Sequence, residues 1–303
     1  MRDRGTSSDA ISVVICTYNR AESLRLTLES LIEPSRGQDT EIIVVDNNSD
    51  DHTREVARSF EDALPGLRYV HEPRRGLSRA RNTGIRCASG DLIAFVDDDI
   101  VVDRRWLDTI RAAFSTHPAD VVAGPIALAS ASFPAWWQEH FSLALGLLDL
   151  GDRPVLFSRG YQGTCGIGGN LCFRRHVFDR CGDFDVSLGR GAPLDMGEDM
   201  ELCHRLLERS HSVLYFPPAR VFHRCHAERL TKRYLRRWFF RYGEWCGFAR
   251  RMVSNARRRD ARFAERFEAM RLWLSSPFSS ELAALWLAGY LRRWLVPAKH
   301  GGR

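Results

Sequence analysis

Short apolar runs rich in β-branched residues alternate with stretches of helical spacing over the first 125 residues, and this alternation narrows the fold more than any other feature. Ile11-Ser12-Val13-Val14-Ile15-Cys16, Glu41-Ile42-Ile43-Val44-Val45, Leu67-Arg68-Tyr69-Val70, Asp91 to Val96 and Val121-Val122-Ala123-Gly124 read as strands. Between them Leu24, Leu28 and Leu31 recur at helical spacing, and Thr53 to Phe60, Leu77 to Cys87 and Trp106 to Phe114 read as further helices. Continuous apolar strands separated by helices imply an α/β fold: a mostly parallel central sheet with helices on both faces. A helix at Met200 to Leu207 and a late strand at Val213 to Phe216 extend the pattern. No internal repeat or low-complexity segment interrupts it.

Three of these strands end in polar clusters: Thr17-Tyr18-Asn19-Arg20, Asp46-Asn47-Asn48-Ser49-Asp50-Asp51 and Asp97-Asp98-Asp99. In a parallel sheet all three ends share one edge, the edge where open α/β sheets bind ligands. Three adjacent carboxylates repel one another unless a cation or a ring of donors compensates them. One reading is a divalent site of oxygen ligands, suited to Mg2+ or Mn2+ and completed by substrate phosphates. The other is a solvated acidic turn.

Charge is unevenly spread over the 303 residues. Residues 229–303 hold 18 Lys/Arg against 5 Asp/Glu, a balance of +13, which leaves the first 228 at −7 within a chain total of +6. The division expected is a domain at 1–228 and a basic helical extension at 229–303, the extension having an anionic partner of its own. In it Tyr234, Trp238, Tyr242, Trp245 and Phe248 recur three and four residues apart among Arg233, Arg236, Arg237 and Arg241, an amphipathic helix. A second apolar patch at Leu282 to Leu295 is flanked by Arg292, Arg293 and Lys299. Both read either as helices packed on the main domain or as interfacial elements on an anionic membrane surface. No stretch reaches the length of a spanning helix, and Met1 to Ala10 lacks an apolar signal region. The eight cysteines are scattered without a C-x-x-C pair, which reads as reduced thiols in a cytoplasmic protein and not as a zinc site. The location expected is cytoplasmic, peripheral at the inner face of the membrane. Residues 125–165, with Trp136, Trp137 and Phe141, read as a flap or as an added helix.

The ordered set Thr17-Tyr18-Asn19-Arg20, Val44-Val45-Asp46-Asn47-x-Ser49, Ala80-Arg81-Asn82-x-Gly84, Phe95-Val96-Asp97-Asp98-Asp99, Gly182-x-Phe184-Asp185 and Gly197-Glu198-Asp199 resembles the family 2 inverting glycosyltransferases. The resemblance covers about residues 10–225 and implies the nucleotide-sugar-binding GT-A fold. It implies a nucleotide-diphosphate sugar donor, a saccharide or lipid-linked acceptor, and Mg2+ or Mn2+. Asp99 then maps to a direct metal ligand, and Asp97 to the ribose or a metal-bound water. Asp98 supports the pair, and His223 is a further metal contact with His226 close by. Thr17, Tyr18, Asn19, Arg20, Asp46 and Asn47 map to base and ribose positions. Arg79, Arg81 and Asn82, near the acidic edge, are expected either to contact the diphosphate or to pair with the aspartates. Gly169 and Asn170, with Gly168, lie near the donor sugar. Inversion needs a general base for the acceptor hydroxyl, which maps to Asp199 with Glu198 as the alternative. Without the family, Asp46 reads equally as a turn-capping residue, and Glu198-Asp199 as acids at a helix N-terminus.

Competing functions find less support. A nucleotidyltransferase carries a Gly-rich phosphate loop after its first strand, where this chain has Thr17-Tyr18-Asn19-Arg20-Ala21-Glu22. A nucleic-acid partner is not expected, because no zinc-finger or RNA-binding signature accompanies the basic tail. A non-catalytic sugar-binding relative would not be expected to keep candidates at both the metal and the base positions.

Overall fold

Strand β1 (Ile11–Thr17) is buried on both faces because it lies inside the sheet, hydrogen-bonded in parallel to β2 (Thr40–Asp46) and to β4 (Leu92–Asp97). Its side chains alternate between two cores. Val13 and Ile15, with Ile42, Val44, Ala94 and Val96, meet Leu24, Leu28 and Leu31 of α1 (Ala21–Ser35) and Trp106 and Ile110 of α4 (Trp106–Thr116). Val14, with Ile43, Val45, Ile93 and Phe95, meets Ala80 and Ile85 of α3 (Leu77–Cys87) and Leu202 and Leu206 of α6 (Glu198–Glu208). Apolar side chains on both faces explain why these strands read as continuous runs.

The computed structural model describes residues 10–129, 133–161, 163–254 and 277–295. They fall into two compact units. The first takes residues up to 131, then 146–192 and 198–225; the second takes 132–145, 193–197 and 226 onward.

The first unit holds an eight-stranded sheet in the order β3-β2-β1-β4-β9-β6-β10-β8. Its remaining strands are β3 (Leu67–His71), β6 (Val121–Ala123), β8 (Val155–Phe157), β9 (Asn170–Arg174) and β10 (Val213–Tyr215). The helix α2 (Thr53–Ser59) follows β2, and α5 (His176–Cys181) follows β9. The sheet is mostly parallel, but β9 runs antiparallel between β4 and β6, and β8 is antiparallel at one edge. A small second sheet sets β11 (Val221–His223) between β5 (Ile100–Val102) and β7 (Ile126–Leu128). The sequence reading placed no strand at β5, β7, β8, β9 or β11. Each is three to five residues long, too short for a two-residue period to register, and each forms by long-range pairing. The described residues of 125–165 include two short strands and a 3-10 helix at Glu139–Leu145, whose Phe141, Ala144 and Leu145 are buried.

The motif Ala80-Arg81-Asn82-x-Gly84 has a packing cause. A Cβ on Gly84 would lie 2.3 Å from Val14 Cγ1, so only glycine lets α3 approach β1 this closely.

In the second unit α7 (Lys232–Ser254) and α8 (Pro277–Leu295) run parallel: Arg236 pairs with Glu281, and Arg293 lies over Phe248. Their backbones touch. A Cβ on Gly243 would fall 1.9 Å from the Trp286 carbonyl oxygen, and one on Gly289 would fall 2.0 Å from that of Phe240. Phe141 packs edge-on against Phe239 and Phe278, and the Tyr234 hydroxyl donates to the Ala144 carbonyl at 2.9 Å. On α8, Leu282, Ala283, Trp286 and Tyr290 are buried, while Ala284, Leu287, Ala288 and Leu291 form an exposed apolar strip. Lys299 lies outside the described residues. No helix among them is long and apolar enough to cross a membrane.

Candidate active site

Parallel register places the polar strand ends side by side: Thr17 is level with Asp46, and Cys16 with Asp97. Antiparallel β9 begins at the same edge, with Asn170 level with Val96. The residues before it therefore approach the acidic triplet. A Cβ on Gly169 would stand 3.0 Å from Asp97 Oδ2, and one on Gly168 2.3 Å from Arg81 Nη2.

The three aspartates point to different partners. Asp98 is buried and accepts from Thr17 Oγ1 at 2.8 Å and from Arg20 Nη1 at 3.1 Å. Burial, then the charge of Asp99, pushes its carboxyl up to about 6, against the pull of Arg20 and Thr17. Asp99 is also buried; its Oδ2 lies 2.8 Å from the same Arg20 nitrogen and 3.2 Å from His223 Nε2. Its carbonyl accepts the Arg224 N–H at 2.8 Å. Asp97 keeps 45% of its side-chain surface exposed and faces Arg81, 3.3 Å away. The ring of donors that three adjacent carboxylates demand is thus supplied largely by Arg20, Thr17, His223 and Arg81.

His223 reaches Asp99 because β11 pairs with β5 in a register that sets it opposite Ile100. The third expected metal ligand stands apart. Among the described residues, Asp97, Asp99 and His223 do not bring three donor atoms within 4.8 Å of one another, because Asp97 is turned to Arg81.

Arg81, expected at the diphosphate or in a pair with the aspartates, is the hub of the site and pairs with Asp97. Only 2% exposed, it donates from Nη1 to Glu198 Oε1 at 2.6 Å and from Nη2 to Asp97, beneath the rings of Phe184 and Phe95. It links the triplet to the first turn of α6. Burial, then the Asp199 charge, raises Glu198 to about 7 against the pull of Arg81. Asp199 is half-buried: Oδ2 accepts the Gly168 N–H and Oδ1 the Met200 N–H, both at 2.8 Å.

The flanking loops are stitched together. The Asn19 N–H donates to Ser49 Oγ at 2.9 Å, and Asn19 Oδ1 accepts the Asp50 N–H at 2.7 Å, with Asn19 left-handed at φ 51°. Asp46 is buried and makes the turn-capping contact, accepting from the Ser49 N–H at 2.9 Å and from Tyr69 OH at 2.6 Å. Tyr18 is exposed, with the Arg75 guanidinium 3.8 Å from its ring centre. Arg79 is half-buried on α3.

Three expected donor contacts have their side-chain amides engaged within the fold. Asn47 holds the carbonyls of Glu72 and Arg74 and accepts the Gly76 N–H. Asn82 exchanges two hydrogen bonds with the Phe184 backbone. Asn170 accepts from Trp106 Nε1 and donates to the carbonyls of Pro125 and Ala219. A polar residue in a loop serves ligand or backbone equally well, and sequence alone does not separate the two.

This arrangement, a buried acidic cluster and a helix-borne carboxylate pair on one edge of an α/β sheet, can be compared with known proteins. Residues 12–182 match the family described as Glycosyl transferase family 2. The chain belongs to that family. Among curated relatives of this glycosyltransferase, the Glucosyl-dolichyl phosphate glucuronosyltransferase of Haloferax volcanii is 28% identical over 252 residues, covering 80% of this chain and 77% of the relative. Glycosyltransferase AglE of the same organism is 35% identical over 214 residues, covering 70% of this chain and 68% of the relative. Among solved structures, the mannosyltransferase PcManGT from Pyrobaculum calidifontis, in complex with GDP-Man and Mn2+, aligns with a TM-score of 0.60 at 16% identity, covering 94% of this chain and 86% of that one. That likeness shows that the transferase shares its α/β fold.

The donor types of the transferase's acidic edge suit a divalent cation, with Asp97 having to turn from Arg81 to complete the set. Asp99 and His223 already face each other at 3.2 Å, and the exposed Asp97 carboxylate stands at the end of β4 on the same edge. Carboxylates suit Mg2+ and Mn2+, and the imidazole tilts the set toward Mn2+.

Proposed function

We propose that this family 2 enzyme is an inverting hexosyltransferase that moves a sugar from a nucleoside-diphosphate donor to a hydroxyl of a saccharide or lipid-linked acceptor. The observation that carries the reading is the Arg81 bridge, which ties the metal-type carboxylate Asp97 to Glu198 at the start of α6. It sets a candidate diphosphate site and a candidate base beside the same two glycines, Gly168 and Gly169.

Asp99, Asp97 and His223 would hold Mn2+ or Mg2+, which would neutralise the diphosphate as it leaves. Thr17, Tyr18, Asn19, Arg20, Asp46 and Arg79 frame the nucleotide and its phosphates, Tyr18 offering an exposed ring and Arg79 a cation. Gly169, lacking a side chain, permits close approach of the donor sugar. Asn47, Asn82 and Asn170 hold the surrounding loops. The acceptor oxygen attacks the anomeric carbon as the bond to the diphosphate oxygen breaks, and the hydroxyl proton passes to Asp199. Asp199 is favoured over Glu198 because it is the more exposed of the two and Glu198 is engaged with Arg81.

The basic domain at 229–303 is assigned a peripheral role on an anionic membrane at its cytoplasmic face. The exposed strip Ala284, Leu287, Ala288 and Leu291 beside Arg292 supports this. Co-sedimentation with vesicles of anionic and neutral lipid, equal for both, would sink the membrane assignment. For the donor site, calorimetry with UDP, GDP, CDP and dTDP, with and without Mn2+, is expected to pick out one nucleotide whose binding needs the metal. No metal-dependent binding by any of the four would overturn the reading.

A further inference from the structure

At the edge of the sheet opposite the acidic triplet, three elements bring one carboxylate and two imidazoles together. Asp120 precedes β6, His176 opens α5, and His211 lies in the turn between α6 and β10. The edge is fixed by register: β9 sets Arg174 level with Leu92, the first residue of β4, whereas the triplet lies at the end of β4. Asp120 Oδ1 is 3.1 Å from His176 Nε2, and Asp120 Oδ2 is 3.2 Å from His211 Nδ1. One donor atom from each of the three residues lies within 4.8 Å of the other two.

We propose that Asp120, His176 and His211 form a second metal site, specific for a zinc-class ion. It is independent of the transferase reading. Two imidazole nitrogens and a carboxylate oxygen are the donor chemistry that Zn2+ selects, and they are a poor cage for Mg2+, which demands oxygen ligands in near-octahedral array. Around a zinc ion at about 2.1 Å, tetrahedral donors stand roughly 3.4 Å apart, inside the 4.8 Å span that holds one donor atom of each residue. The backbone is preorganised. The Asp120 N–H donates to the Ser212 carbonyl at 3.2 Å, the Arg174 N–H donates to the Asp120 carbonyl at 2.9 Å, and the His211 N–H donates to the Leu206 carbonyl at 3.0 Å. The Ser212 N–H also donates to Asp120 Oδ2 at 3.0 Å, which orients the carboxylate.

Arg174 donates to the carbonyls of Ala119 and Phe114 and lies over the Phe114 ring. Access is open. His176 keeps 41% of its side-chain surface, and a cavity of about 630 Å³ lined by Phe114, His117, Asp120, Arg174 and His176 adjoins the site. Three protein ligands leave a fourth position for water or an anionic ligand.

The test uses the full chain, stripped with chelator, dialysed against ZnCl2 in excess Mg2+ and assayed for bound zinc by elemental analysis. The wild type is expected to retain one zinc. His176→Ala and His211→Gln are expected to weaken it by about tenfold or more. His117→Ala, which removes a cavity histidine outside the triad, is expected to leave it unchanged. If His211→Gln fails to fold, the more exposed His176→Ala decides. No retained zinc in the wild type, or wild-type retention by His176→Ala, would mean that Asp120 is only a hydrogen-bond acceptor between two imidazoles, and would overturn the site.

Discussion

Arg81 and Glu198 are 117 positions apart in sequence and 2.6 Å apart in space, both nearly without solvent contact. A buried ion pair of this kind is a poor source of net stability, but removing one member leaves a charge with no water around it. Arg81→Met is therefore expected to destabilise the protein by about 3–5 kcal/mol, and Arg81→Met with Glu198→Leu by less than Arg81→Met alone. Urea denaturation of the three proteins reads this directly. A double variant no more stable than Arg81→Met would show that the pair carries no coupling.

The same bridge separates the roles of the two α6 carboxylates. Asp199→Asn keeps an oxygen for the Gly168 N–H but loses the proton acceptor. Transfer is expected to fall about 10²–10⁴-fold, with donor affinity unchanged. Glu198→Gln is expected to retain more activity, because its partner is Arg81 and not the acceptor. Single-turnover transfer beside donor calorimetry measures both; near-normal transfer by Asp199→Asn would remove it as the base.

The edge on which the site stands was legible because buried parallel strands advertise themselves as apolar runs, and their polar ends at Thr17, Asp46 and Asp97 could be aligned by that logic alone. Strand β9 was not legible. Its five residues carry a ligand-like Asn170 at one end, and its pairing with β4 depends on contacts some 80 residues away. Asn47 and Asn82 show the same limit at single residues, since an amide serves a loop backbone as readily as a ligand. Asp120, His176 and His211 share no spacing that marks a metal motif, and only the fold assembles them.

The metal dependence proposed for the acidic edge can be tested at Asp99. Asp99→Asn keeps an oxygen toward Arg20 but lowers the charge offered to a cation. Nucleoside-diphosphate binding in Mn2+ is expected to weaken by about tenfold or more, while the metal-free affinities of variant and wild type converge. Undiminished Mn2+-dependent binding by Asp99→Asn would exclude it as a ligand.

Gly84 offers a test of packing alone. In Gly84→Ala the new methyl would sit 2.3 Å from Val14 Cγ1, so α3 or β1 must shift, at about 1–3 kcal/mol. Val14→Ala removes the clashing methyl. The double variant is expected to be more stable than the sum of the two single losses predicts; strict additivity of urea midpoints would show that the close approach is not what limits position 84.

Acid sensitivity is expected at Glu72, whose carboxylate lies within hydrogen-bonding distance of Arg74 and Thr83. The Arg74 guanidinium beside it, opposed by burial and helped by Thr83, lowers its carboxyl from 4.5 to about 2. A folded-state value below the unfolded one means that the unfolded chain takes up the proton first as pH falls. The stability Glu72 contributes is thus complete above about pH 4.5 and is lost progressively toward pH 2. Glu72→Gln should be less stable than the wild type at pH 7, and the gap should close as pH falls through that window. A gap of constant size from pH 7 to pH 3, measured by thermal denaturation, would mean that the charge of Glu72 contributes nothing and that only its shape holds the turn between β3 and α3.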